Sequence, residues 1–477
     1  MSNESEHRPN PLPDGEQQAR RSGVGARLFG SRYAQMVQGD GLRARALRGS
    51  GWTIAGFGAS QALRLTSNLI LTRLLFPEAF GLMALAQVFL TGLNMLSDIG
   101  VGPSIVQNKR GDDPDFLATA WTLQIIRGVV LFLGMCVIAY PVSLIYDEPM
   151  LFPILMLIGL TALTAGFQSI GMATANRKMS LGRLTTIDLI SQGMGIFTMV
   201  VWAAYHPTVW ALVAGGVLAS AVRVGAGHRL LPSAGNRLYF ERNAASEIFH
   251  FGKWVFVATA MTYFGGEGLR LIQGYIVSIE TLGIISIAGM LALVTNLLIV
   301  RIGGMVLFPA LAQIHLERPE ELAHKLRESR TKLFLMSLPM FVVLIVFGRD
   351  LITLMYDDRY LAAGGYLVIM ATSAAVNAQR TPFGMVLIAT GDSFGHAVIM
   401  FVRACARMAA VYIGFRMYGI EGMLIADIAA QGVIYPFEAW RLHKKKLWMP
   451  MFDLLVSVGF LMLGWLSYTT GPYLFTG

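Results

Sequence analysis

Arginine is the residue type through which this chain could do chemistry. Seven arginines sit inside apolar runs long enough to cross a bilayer: Arg64, Arg127, Arg270, Arg301, Arg380, Arg403 and Arg407. A guanidinium near a bilayer centre costs about 2.5 to 3.5 kcal/mol, so such a residue normally faces a cavity, a partner or a substrate. Its planar fork pairs bidentately with phosphate oxygens and stays charged at any relevant pH. Arg403 and Arg407 stand four residues apart, on one face of a helix. Acids at comparable depth are fewer; Asp188, Glu267 and Asp427 are clear, and Asp98 lies nearer a helix end. The imbalance predicts an intramembrane cavity with surplus positive charge, suited to a large anionic substrate. Asn68, Gln192, Asn377, Gln379 and Gln431 are candidate hydrogen-bonders to a polar substrate, or equally glue between helices. Asp188, Glu267 and Asp427 either carry a coupling proton or sodium ion or neutralise nearby arginines.

The elements that must hold these residues are helices in a membrane. Of 477 residues, 55% are hydrophobic and 14% charged, against about 25% charged in a soluble chain. Repeated apolar runs of roughly 20 residues define an all-α polytopic membrane protein. The abundant glycines suit close helix approach. The net charge of +9 reads as membrane orientation rather than nucleic-acid binding. There is no phosphate-binding glycine loop, metal-ligand spacing or hydrolase motif, and the histidines are scattered. Transport is therefore expected rather than catalysis, with no cofactor and no metal. Cys136 and Cys405, each in an apolar run, read as buried space-filling residues.

Residues 1–45 are polar and basic without a signal peptide's apolar core, and are expected to be a disordered cytoplasmic tail. Spans are predicted at 49–75, 79–106, 116–146, 151–175, 184–205 and 208–231. After a linker at 232–248, others follow at 249–277, 281–313, 331–355, 361–390, 393–417 and 420–440. Residues 447–477 hold one more apolar segment, at 451–468. Even-numbered connections carry the lysines and arginines, such as Lys109 with Arg110, Arg177 with Lys178, and Lys444 to Lys446. Odd-numbered ones are short and acidic, such as Asp147-Glu148 and Asp357-Asp358. This places the N-terminus in the cytoplasm.

The chain also repeats itself. Glu78-Ala79-Phe80-Gly81-Leu82 opens the second span and Glu280-Thr281-Leu282-Gly283-Ile284 the eighth. Tyr146-Asp147-Glu148 and Tyr356-Asp357-Asp358 follow the third and ninth. Residues 46–231 and 249–446 thus form two six-helix bundles related by a parallel repeat about an axis along the membrane normal, around a central cavity. Arg64 lies 81 − 64 = 17 residues before Gly81 and Arg270 lies 283 − 270 = 13 before Gly283. The difference is about one helical turn, so both should point the same way within their halves.

The run Arg73-Leu74-Leu75-Phe76-Pro77-Glu78-Ala79-Phe80-Gly81, continued by Ser97-Asp98-Ile99-Gly100, closely resembles the first-hairpin signature of bacterial polysaccharide exporters. Asn176-Arg177-Lys178-Met179 and Val209-Trp210-Ala211-Leu212 resemble later landmarks of that family. The family is the polysaccharide transporter branch of the multidrug/oligosaccharidyl-lipid/polysaccharide flippase superfamily. The resemblance implies two bundles rocking about a central cavity. It also implies transfer of undecaprenyl-pyrophosphate-linked oligosaccharide repeat units across the bacterial inner membrane for exopolysaccharide, capsule or O-antigen synthesis. Lipid-linked oligosaccharide, membrane lipids, a polysaccharide polymerase and chain-length machinery are the implied partners. Thirteen crossings would depart from the family's usual twelve or fourteen. The competing readings are an ion-coupled drug or metabolite antiporter, a lipid II flippase, and a membrane glycan polymerase or ligase.

Overall fold

A computed structural model describes residues 42–178, 180–231, 233 and 235–474. The basic tail at 1–41 lies outside the described residues. Among those described, every regular element is helical. The first half comprises α1 (Leu42–Leu74), α2 (Pro77–Leu96), α3 (Val101–Gln107), α4 (Pro114–Ile145), α5 (Leu151–Gly166), α6 (Gly171–Arg177), α7 (Leu181–Tyr205) and α8 (Trp210–Leu230). The second comprises α9 (Arg242–Gly266), α10 (Gly268–Ile276), α11 (Ile279–Ile302), α12 (Phe308–Glu317), α13 (Leu322–Val346), α14 (Gly348–Met355), α15 (Ala362–Ala378), α16 (Thr381–Ala389) and α17 (Ser393–Lys444). A final helix, α18, runs Pro450–Leu474. Eight of these, or nine if the bent pair α5–α6 counts as one, are long and apolar enough to cross a membrane by themselves.

The remaining predicted spans are present but broken. Span four bends by 62° between α5 and α6, and span ten breaks between α15 and α16, at Gln379 and Arg380. Span two breaks after Leu96, and its counterpart α11 passes into a single π turn at Gly303–Leu307. The breaks therefore recur at matching places in the two halves, as a duplicated fold requires. Span seven breaks at Glu267 into α9 and α10, and α9 begins at Arg242, inside the stretch read as linker. α17 is a hairpin: Gly419 turns at φ 64°, ψ −145°, a left-handed conformation open to glycine but costly for other residues. Its arms then meet so closely that a Cβ on Gly414 would lie 2.4 Å from the Gly422 carbonyl oxygen.

The halves meet through α2 and α11. A Cβ on Gly81 would lie 1.9 Å from the Ile279 carbonyl oxygen, and one on Gly283 would lie 1.9 Å from the Pro77 carbonyl oxygen. Since 279 − 77 and 283 − 81 are both 202, each contact is the other's image. The repeated glycines therefore sit beside a pseudo-two-fold axis, where two helix N-termini cross backbone to backbone. The buried core of the first half takes in Ile279 and Leu282 of α11, which joins the bundles at this point.

α18 lies alongside α13 and in the same direction. Arg330 pairs with Asp453 at 2.5 Å near one end, and Ser467 donates to the Ile345 carbonyl at 2.6 Å near the other. The additional segment thus covers the thickness of a full crossing, docked on the second bundle through α13 and α15. Cys136 is half-buried and Cys405 exposed, so neither is the buried filler that the sequence suggested.

Candidate functional site

Two cavities border α11. The larger, about 790 Å³, is in the first half; its polar wall includes Arg64, Asn68, Gln87, Asp188, Gln192 and Arg223, and Met290 of α11 closes one side. The smaller, about 280 Å³, is in the second half and is lined by Glu267, Arg270, Asn377, Arg407, Asp427 and Gln431. The repeat-related Arg64 and Arg270 therefore end in different cavities, one per half.

In the larger cavity Arg223 pairs with Asp188 at 2.9 Å, and both side chains are about half exposed. Arg64 is exposed and has no hydrogen-bond or ionic partner among the described residues. Gln192 is spent on α1: it accepts from the Ser60 hydroxyl at 2.6 Å and donates to the Ser60 carbonyl at 3.0 Å. Asn68 donates to the Tyr356 hydroxyl at 3.0 Å, across the interface between halves.

The smaller cavity is neutralised from within. Arg407 grips Asp427 through two bonds of 2.6 and 3.1 Å, and Ser373 adds a third at 2.7 Å. Arg270 pairs with Glu267 at 3.2 Å across the break in span seven. Gln431 donates to Ser373 at 2.7 Å. The ion pairs join equivalent helices with signs exchanged: acid before arginine in α7–α8, arginine before acid in α17.

The other predicted residues are placed elsewhere. Arg127 donates to the Asn94 carbonyl at 2.6 Å and the Ser97 hydroxyl at 3.1 Å, capping the end of α2. Arg301 is exposed at the end of α11. Arg380 is buried and donates to the Gln431 carbonyl at 2.8 Å, while Arg403 pairs with Glu438 and reaches Asn377 at 3.5 Å. Gln379 bonds Ser457 of α18 at 2.6 Å. At the end carrying the acidic connections the two halves are joined by hydrogen bonds. There Tyr360 donates to the Leu75 carbonyl at 3.0 Å, Arg359 to the Arg73 carbonyl at 3.2 Å, and Tyr146 to the Leu271 carbonyl at 3.1 Å.

Residues 70–364, more than half of the chain, match the family described as polysaccharide biosynthesis protein. The chain belongs to that family. It is 22% identical over 434 residues to the lipopolysaccharide biosynthesis protein WzxC of Escherichia coli (strain K12), covering 86% of each chain. Among solved structures, the lipid II flippase MurJ in an inward closed conformation aligns with a TM-score of 0.68 at 12% identity, over 89% of this chain and 93% of that one. An inward-facing multidrug resistance MATE transporter aligns with a TM-score of 0.63 at 14% identity, over 81% and 95%. The resemblance seen in the first hairpin thus extends to the whole fold. The protein is a multi-pass membrane protein of the polysaccharide biosynthesis family.

Three charged residues of this protein escaped the sequence reading. Arg223 was overlooked in α8, although its depth matches that of Asp188. Glu438 is 3% exposed and meets Arg403 and Arg380. Asp453, also 3% exposed, lies in the first turn of α18 and holds Arg330. The available signal was the count of acids in spans twelve and thirteen. The two acids reduce the surplus of positive charge.

Proposed function

We propose that this protein moves an oligosaccharide repeat unit, linked through pyrophosphate to undecaprenol, from the cytoplasmic to the outer leaflet of the bacterial inner membrane. The observation that carries the reading is the charge of the larger cavity: Arg64 and Arg223 against Asp188 leave one positive charge, with Arg64 unpaired. A pyrophosphate is the complement of such a site, because guanidinium forks bind its oxygens bidentately. The amides and hydroxyls around them, among them Asn68, Gln87 and Ser220, offer sugars the hydrogen bonds that lipid cannot.

In this reading the basic connections face the cytoplasm, so the acidic end, where the halves are joined, is the outer gate and the state is inward-facing. Alternating access is a rocking of the bundles about the Gly81–Gly283 crossing. Asp188, Glu267 and Asp427 are the candidates for proton or sodium coupling, where the ion would compete with the arginine that holds each acid. Delivery to a polymerase and its chain-length machinery would follow on the outer face.

The test uses the full chain in vesicles, with an undecaprenyl-pyrophosphate oligosaccharide in the inner leaflet and its appearance outside followed. Wild type should transfer it, and Arg64→Ala with Arg223→Ala should lose at least tenfold in rate while remaining folded and inserted. Ion-driven efflux of an organic cation, with no lipid transfer, would move the protein to the antiporter reading.

A further inference from the structure

A third cavity, about 260 Å³, lies within the second bundle and shares no lining residue with the larger one; Arg380, His396, Arg403 and Glu438 form its polar wall. Arg380 stands at the break between α15 and α16, His396 and Arg403 on the first arm of α17, and Glu438 on the second. Gly384 has no side chain to keep the His396 ring away: a Cβ there would lie 2.6 Å from it.

The charges do not close. Arg380 and Arg403 supply two positive charges and Glu438 supplies one negative, which leaves one guanidinium charge uncompensated. Glu438 pairs with Arg403 through one oxygen, while its other oxygen stays 3.8 Å from Arg380 and has no hydrogen bond. The Arg380 Nε and the His396 Nδ1 are likewise buried without a partner. Three orphaned polar atoms therefore belong to residues that line one small cavity, although buried polar groups are nearly always satisfied.

We propose that this cavity is a binding site for one phosphoryl group. The phosphoryl oxygens would accept from the guanidinium N–H groups of Arg380 and Arg403, and a P–OH or a water would donate to Glu438. The compensated site would hold Arg380 and Arg403 around the anion with Glu438 as the competing counter-charge. The group comes either from a soluble or substrate phosphate or from a phospholipid headgroup. The inference does not depend on the transported substrate proposed above.

Competition by Glu438 makes the test directional. Binding of radiolabelled inorganic phosphate is measured on the full-length protein in a maltoside detergent. Glu438→Gln should tighten binding about tenfold by removing a like charge, and Arg403→Gln should weaken it about tenfold. A phosphate site in the larger cavity would be indifferent to both. If Arg403→Gln does not accumulate, Arg403→Lys replaces it and should also weaken binding, because the fork is lost. Phosphate should also raise the melting temperature of Glu438→Gln more than that of wild type. Phosphatidylglycerol added to the micelles should displace phosphate if the site takes headgroups, and should leave it bound if it takes soluble phosphate. Absence of saturable binding, binding unaffected by both substitutions, or weakening by Glu438→Gln would each overturn the proposal.

Discussion

Asn68 has two roles: its amide lines the larger cavity and donates to the hydroxyl of Tyr356 in the opposite half. A substrate hydroxyl that takes this amide must compete with the gate, which links occupancy at one end of α1 to closure at the other. Tyr356→Phe removes the acceptor and leaves a buried amide short of a partner. It should weaken gate closure by about 1 kcal/mol, roughly a fivefold shift in population. Accessibility of a cysteine introduced beside Leu75 to a membrane-impermeant thiol reagent should rise accordingly in a background lacking Cys136 and Cys405; unchanged accessibility would remove Asn68 from the gate. Arg64 and Arg223 differ at the same scale. Arg223 has a structural duty toward Asp188, whereas Arg64 has none, so Arg64→Ala should lower transport with the smaller effect on melting temperature.

At the scale of elements, two junctions carry the assembly. The α2–α11 crossing works only because two backbones approach where side chains would stand. Gly283→Ala puts a methyl carbon into the Pro77 carbonyl, and nothing flexible can yield. The helices must separate, so this variant should populate states open at the acidic end, measurable as a longer spin-label distance between α2 and α11. Gly81→Ala should act alike through Ile279. The second junction is the Arg330–Asp453 pair, which is almost fully buried, with the guanidinium 4.1 Å from the Phe383 ring centre and Tyr435 donating to Asp453 at 2.8 Å. Removing one member of such a pair leaves a charge unpaired, at about 3 to 5 kcal/mol. Asp453→Ala should therefore destabilise the second bundle and release α18, seen as new proteolytic cleavage between Leu447 and Pro450. Asp453→Ala with Arg330→Met should recover much of the loss; failure to recover would deny the pair its role.

Over the whole molecule the two ends are built differently. At the acidic end the halves meet through neutral contacts, tyrosine hydroxyls and carbonyls, together with Arg359. At the basic end the segment entering α9 is tied to the first half by a half-buried ion-pair cluster: Arg110 holds Asp113 of its own half and Glu241 before α9, at 2.7 Å each. Hydrogen bonds from Arg110 hold both carboxyls below their ordinary values. Groups with depressed values contribute stability above the ordinary carboxylate range and lose it as pH falls through the depressed ones. Acidification below about pH 4 should loosen this end first, seen as faster amide exchange at 108–116 and 237–247 while 75–82 and 279–285 stay protected. High salt should act in the same direction.

The sequence by itself determined the class of fold, because bilayer thickness dictates the length of an apolar run and duplication left Gly81 and Gly283 in register. It also exposed the arginines, since a charge in such a run is conspicuous one residue at a time. Their partners were beyond its reach. Whether Arg407 is free or gripped by Asp427, or Arg330 a surface charge or a buried anchor, depends on which helices lie side by side. Pairing is a property of distance across the bundle, and only the tertiary structure sets those distances.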